Sequence, residues 1–123
     1  MSIPGNALIE FLKAEGIALY DNLAGGPASA QSTALPLLAQ ANRVTSAIAN
    51  ASFQLKSLST GEGDCAVFVI NDSTQTIQIY PAVGEKQNGV ANAALAIPST
   101  DIGIFFPVFN KFGGPDWRSA AIA

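Results

Sequence analysis

Residues 65–81 hold two runs of β-forming residues separated by a short polar turn, and no other stretch limits the fold so strongly. The first run, Cys65-Ala66-Val67-Phe68-Val69-Ile70, is apolar at every position, the pattern of a strand buried on both faces. The second, Thr76-Ile77-Gln78-Ile79-Tyr80, alternates apolar and polar residues, as in a strand with one wet face. With Asn71-Asp72-Ser73-Thr74 between them, the pair predicts a β-hairpin.

The flanking sequence continues in this vein. Asn42 to Leu58 predicts one or two short strands, because Thr45, Ser46 and Asn50 favour strand and turn over helix. Asn88-Gly89 is a tight-turn signal. Ala94-Leu95-Ala96-Ile97 and Ile102 to Phe109 predict two further strands, with Pro107 placing the far end of the second on a sheet edge or at a bulge. Short strands at roughly ten-residue spacing, punctuated by Gly, Pro, Asn and Asp, imply a mainly β fold: an antiparallel β-sandwich, jelly-roll-like, or a small barrel. No internal repeat is visible.

The N-terminal segment differs. Leu8, Phe11, Leu12, Leu19 and Leu23 recur at three- and four-residue steps or their multiples, with Glu10, Lys13 and Glu15 among them, which predicts an amphipathic helix over Ser2 to Leu23. Pro4 suits a first turn, and Gly25-Gly26-Pro27 predicts the stop. Two parts follow: a helical arm and linker over 1–27, and a β-domain over 28–123. Removing residues 1 to 24 is then expected to leave the β-domain folded.

Composition narrows function. Hydrophobic residues make up 49% of the 123-residue chain and charged residues only 12%, against about 25% in ordinary soluble domains. So few charges leave little to keep a lone subunit soluble, which favours contacts with further copies or a partner. The net charge of -3, with six basic residues scattered along the chain, argues against nucleic-acid binding. No long apolar run and no basic N-terminal region occur, so neither a membrane span nor a secretory signal is expected, and synthesis in a cytoplasm follows.

Chemistry is equally constrained. Without histidine, a Ser-His-Asp or Cys-His arrangement and the common zinc sites cannot be built from this chain. Cys65 reads as a small buried hydrophobe. Glu62, Asp64 and Asp72 read as turn carboxylates, and neither a phosphate-binding glycine loop nor a calcium loop is present. No catalytic residue, cofactor or metal is expected. The remaining candidates are apolar: Leu8, Phe11, Leu12 and Leu19 in the N-terminal segment, and Phe105, Phe109, Phe112 and Trp117 near the C-terminus, as residues of an interface. Strand alternation sets Phe105 and Phe109 on one face and Phe106 and Val108 on the other.

The succession Gly63-Asp64, Val67-Phe68-Val69-Ile70-Asn71-Asp72, Thr76-Ile77-Gln78-Ile79-Tyr80-Pro81-Ala82-Val83-Gly84-Glu85 and Asn88-Gly89 resembles a small β-domain of virion proteins of tailed bacteriophages. Ile104-Phe105-Phe106, Trp117 and the upstream Ala30 to Leu35 and Asn42 to Thr45 extend the resemblance over about residues 28 to 118. Residues 109–115 stand as an insertion relative to that pattern, and residues 1 to 27 have no counterpart in it. The resemblance implies a structural protein of the virion, located on the capsid surface. The expected role is capsid decoration, or cement, with the major capsid protein and further copies of the chain, as dimer or trimer, for partners. Nucleic acid and membrane are not expected partners. A head-fibre or tail-fibre component that binds the host surface is the alternative, and a hydrolase built on Glu62 and Asp64 is a distant third.

Overall fold

The computed structural model describes residues 18–58, 66–110 and 114–123, with Ala7 and Glu10 of the preceding segment. Eleven strands are present among them: β1 (Leu19–Ala24), β2 (Leu35–Pro36), β3 (Ala41–Ser46), β4 (Ala51–Gln54), β5 (Val67–Asn71), β6 (Ile77–Tyr80), β7 (Lys86–Gln87), β8 (Val90–Ala91), β9 (Leu95–Ile97), β10 (Ile102–Asn110) and β11 (Gly114–Ile122). They form a seven-stranded sheet, β1-β3-β5-β10-β11-β7-β8, and a four-stranded sheet, β2-β4-β6-β9. The mainly β expectation holds.

Connectivity differs from the expected antiparallel sandwich. The first six strands alternate between the sheets, and β1-β3-β5 and β2-β4-β6 each pair in parallel. The chain therefore winds through three two-strand coils, the path of a short flattened β-solenoid. Between the named strands, antiparallel pairing enters with β9, β10, β11 and the β7–β8 turn. The expected hairpin over residues 65–81 is thus a coil corner, with β5 and β6 in different sheets.

The corner is shaped by a buried amide. Asn71, with no solvent exposure, donates from Nδ2 to the carbonyls of Gln75 (2.8 Å), Ile97 (2.9 Å) and Pro98 (3.1 Å). Its Oδ1 accepts from the Ser73 backbone N–H and hydroxyl, at 3.1 and 2.7 Å. These bonds bend the chain into the second sheet and fasten β9 to the same point. Gln87 clasps the sheets elsewhere, donating to the carbonyls of Ile79 and Ala93 and accepting from the Ser119 hydroxyl.

Between the sheets lies the main core, in which Val44, Val67, Val69, Phe105 and Trp117 of the larger sheet meet Phe53, Ile77, Ile79 and Ile97 of the smaller. The helix predicted over residues 2–23 is overturned at its C-terminal end, where Leu19–Ala24 is β1, paired with β3. Register shifts between Tyr20 and Leu23, with Asn22 at φ 67°, turn Leu23 inward, where it is buried. The rest of the predicted helix lies outside the described residues, apart from Ala7 and Glu10. β1 belongs to the larger sheet, so cutting at residue 24 would remove one of its strands.

Gly25-Gly26 likewise has a role other than helix termination. A Cβ on Gly26 would run into the Ser52 carbonyl oxygen and lie 3.1 Å from the Leu35 nitrogen, so glycine lets the chain pass close to β4. The Ser52 hydroxyl donates to the Pro27 carbonyl beside it. The Asn88-Gly89 turn occurs as expected between β7 and β8, with φ of 52° and 82°. Among the described residues β10 pairs with β5 as far as Phe105, and Pro107 lies opposite Trp117 of β11.

Two outcomes follow. Asn71→Ala should lower unfolding free energy by about 3 kcal/mol in urea titrations, because it strips partners from several carbonyls and one hydroxyl at a buried corner. Gly26→Ala should cost about 1–3 kcal/mol by forcing two backbones apart, and unchanged stability would refute the close approach.

Candidate functional site

The larger sheet is apolar on both faces. Val67 and Val69 point to the second sheet, so Phe68 and Ile70 point away from it. On this outer face Leu19, Ala41, Phe68, Ile104 and Ala120 form one cross-strand row. Arg43, Ile70, Ile102 and Ile122 form the next, and Ile70 and Ile102 nucleate a second apolar cluster with Leu19, Ile104 and Ile122. The all-apolar first run was the sequence signal for this second face.

Further along β10 the apolar surface is open. Phe106 is 52% exposed and Phe109 60% exposed, on the part of β10 that, among the described residues, pairs with β11. Phe106 lies opposite Arg118 and, with Ile104 and Ala120, lines a shallow groove of about 320 Å³ rimmed by Asn88 and Ser119. Asn88 fixes that rim, exchanging bonds with Ser119: its Oδ1 accepts from the Ser119 N–H and its Nδ2 donates to the Ser119 carbonyl. Arg118 bonds the buried Asp116 carboxylate at 2.9 Å, and the other Asp116 oxygen accepts from the Gly89 N–H.

The predicted interface residues separate into three groups. Phe105 and Trp117 are core, with no exposure, and are unavailable to a partner. The Trp117 indole N–H is buried without a hydrogen-bond partner. Leu19 is half-buried on the outer face, and Phe109 is open to solvent. Leu8, Phe11, Leu12 and Phe112 lie outside the described residues. Phe106 is the exposed residue missing from the prediction, although strand parity alone had set it opposite Phe105. Parity did not separate Phe105 from Phe109; they share a face, but Phe105 is buried and Phe109 is exposed.

Asp21, Asp72, Glu85 and Asp116 are engaged locally. Asp72 accepts from Arg43 Nε at 2.7 Å and Asp21 from Arg43 Nη1 at 3.1 Å, joining β1, β3 and the corner after β5. These two hydrogen bonds, that of Asp72 first, raise the Arg43 pKa above the ordinary guanidinium value. Glu85 accepts from the Ser57 hydroxyl and the Leu58 N–H. Glu62, Asp64 and Cys65 lie outside the described residues. Among the described residues no three His, Cys, Asp or Glu side chains gather as a metal site, and no helix is long and apolar enough to cross a membrane.

Comparison with family models, with curated proteins and with solved structures finds no match. The site is therefore defined by its own geometry, an aromatic ribbon edge next to a groove.

That geometry predicts a contrast. Trp117→Ala should cost about 3–5 kcal/mol through a core cavity, whereas Phe109→Ser should stay within about 0.5 kcal/mol of the parent in the same denaturation assay.

Proposed function

We propose that this chain is a virion structural protein of a tailed bacteriophage that binds the outer surface of the capsid as a decoration protein. The observation that carries the reading is the pairing of exposed Phe106 and Phe109 on a ribbon edge, in a chain with few charges. Phe106 and Phe109 stand on opposite faces of β10, so a flat protein surface meets one of them at a time, and either can be covered while the core stays intact. The sequence resemblance to phage virion β-domains supports the same class. The partners on this reading are the major capsid protein and further copies of the chain around a capsid symmetry axis.

A head-fibre or tail-fibre component is the second reading, favoured by one observation. The parallel coils end on edge strands, β1 in one sheet and β2 in the other, and a stack of coils extends naturally from such an end.

Purified protein mixed with undecorated phage heads and pelleted with them measures the copies bound per shell. Saturable binding in the hundreds of copies, with a raised shell melting temperature, is the expected result. Phe106→Ser/Phe109→Ser should abolish it while leaving the protein's own melting temperature nearly unchanged. No binding to heads, together with binding to host cells, would replace decoration by the fibre reading.

A further inference from the structure

The chain contains a single Asn-Gly pair, Asn88-Gly89, and it forms the exposed tip of the β7–β8 turn. Both residues have positive φ, which this two-residue turn demands and which asparagine tolerates better than most residues. Asparagine before glycine is also chemically vulnerable, because glycine has no side chain to keep its backbone nitrogen away from the asparagine amide carbon. In the folded chain the polar groups that such an attack needs are all engaged. Asn88 Oδ1 accepts from the Ser119 N–H at 2.9 Å, and Nδ2 donates to the Ser119 carbonyl and hydroxyl oxygens at 3.2 and 3.1 Å. The Gly89 N–H donates to the buried Asp116 carboxylate at 3.2 Å. The clasp also reaches inward, since the Ser119 hydroxyl donates at 2.8 Å to Oε1 of Gln87, the buried amide that holds the carbonyls of Ile79 and Ala93.

We propose that Asn88 is a modification site, where deamidation is held back by the turn's own hydrogen bonds and, once it occurs, loosens the clasp between the sheets. The Gly89 nitrogen loses its proton to solvent and bonds to Asn88 Cγ; the Cγ–Nδ2 bond breaks, ammonia leaves and a succinimide ring closes. Water opens the ring at either carbonyl, giving aspartate or its iso-linked form, so the balance is one water consumed and one ammonia released. To start, Asn88 must leave Ser119 and Gly89 must leave Asp116. The product cannot restore the clasp, because a carboxylate has no N–H for the Ser119 carbonyl and draws the Ser119 hydroxyl away from Gln87. The iso-linked form also adds a backbone methylene to a turn that sets Gln87 opposite Val90. A change at the exposed tip is thereby carried to a buried amide and to the groove rim that Asn88 and Ser119 form.

The full chain is held at mildly alkaline pH, folded in buffer or unfolded in urea, and digested at intervals. Mass spectrometry reads conversion at Asn88, and chromatography separates the iso-linked peptide. The folded chain should convert at least about tenfold more slowly than the unfolded one, since several hydrogen bonds must break first. Equal rates would overturn the protection, and no conversion in either state would overturn the site. Converted chains carry one more negative charge and are isolated by ion exchange; their melting temperature should lie about 4 °C below the parent's. Asn88→Asp should reproduce that fall, and Asn88→Gly, which suits the turn and adds no charge, should show it too. Converted chains and Asn88→Asp that melt with the parent would overturn the link to the clasp.

Discussion

The winding of this chain depends on corners closed from inside. A strand leaving one sheet can pair with its neighbour in the same sheet or cross to the other, and local backbone preference hardly separates the two. Asn71 separates them, because its amide collects carbonyls from Gln75, Ile97 and Pro98 and its oxygen holds Ser73. Withdrawing a hydrogen-bond partner from a buried polar group costs about 1–3 kcal/mol. The same logic recurs in smaller form at Asn42, which donates to the Ala39 carbonyl at 2.7 Å, and at Ser52 beside Pro27. Polar residues with no exposure are thus the fold's hinge pins, and the apolar core fills the space they define.

This explains what was legible in the sequence. The two-sided burial of β5, the Asn88-Gly89 turn and the strand from Ile102 all follow from local pattern, and all occur. The hairpin over residues 65–81 does not occur, because a polar five-residue turn reads identically whether the chain folds back or crosses over. What decides is the burial of the Asn71 side chain, which no one-dimensional pattern displays. The coil repeat was hidden for another reason. Leu19 pairs with Ala41 and Ala41 with Phe68, so successive coils advance by 22 and 27 residues, and unequal coils leave no self-similar period.

β1 was misread for a geometrical reason. Residues four apart share a face in a helix and also in a regular strand, so Leu19 and Leu23 fit either. The true strand is irregular, with Asn22 in the left-handed region, and it sends Leu19 outward and Leu23 inward. The candidate interface suffered a related loss. Phe105, Phe106, Phe109, Phe112 and Trp117 crowd the C-terminal region, and crowding does not say which of them the core takes. The two-sheet packing claims Phe105 and Trp117 and leaves Phe106 and Phe109 at the surface.

The size of that residual surface bears on how a decoration protein of this kind would hold a shell. An aromatic side chain can bury about 150–250 Å² in all. With Phe106 and Phe109 already about half covered, roughly 100 Å² each remains to be buried on docking. The two stand on opposite faces of β10, so a flat contact buries one of them, worth about 2.5 kcal/mol at about 25 cal/mol per Å². Association of one subunit costs about 4–15 kcal/mol in lost freedom, so a single ribbon contact does not hold a subunit. Attachment through this surface therefore calls for several ribbons presented together, as in a symmetric oligomer whose second and third contacts are intramolecular. Low charge then has a physical place in the design, since like-charged copies crowded at one axis would repel each other.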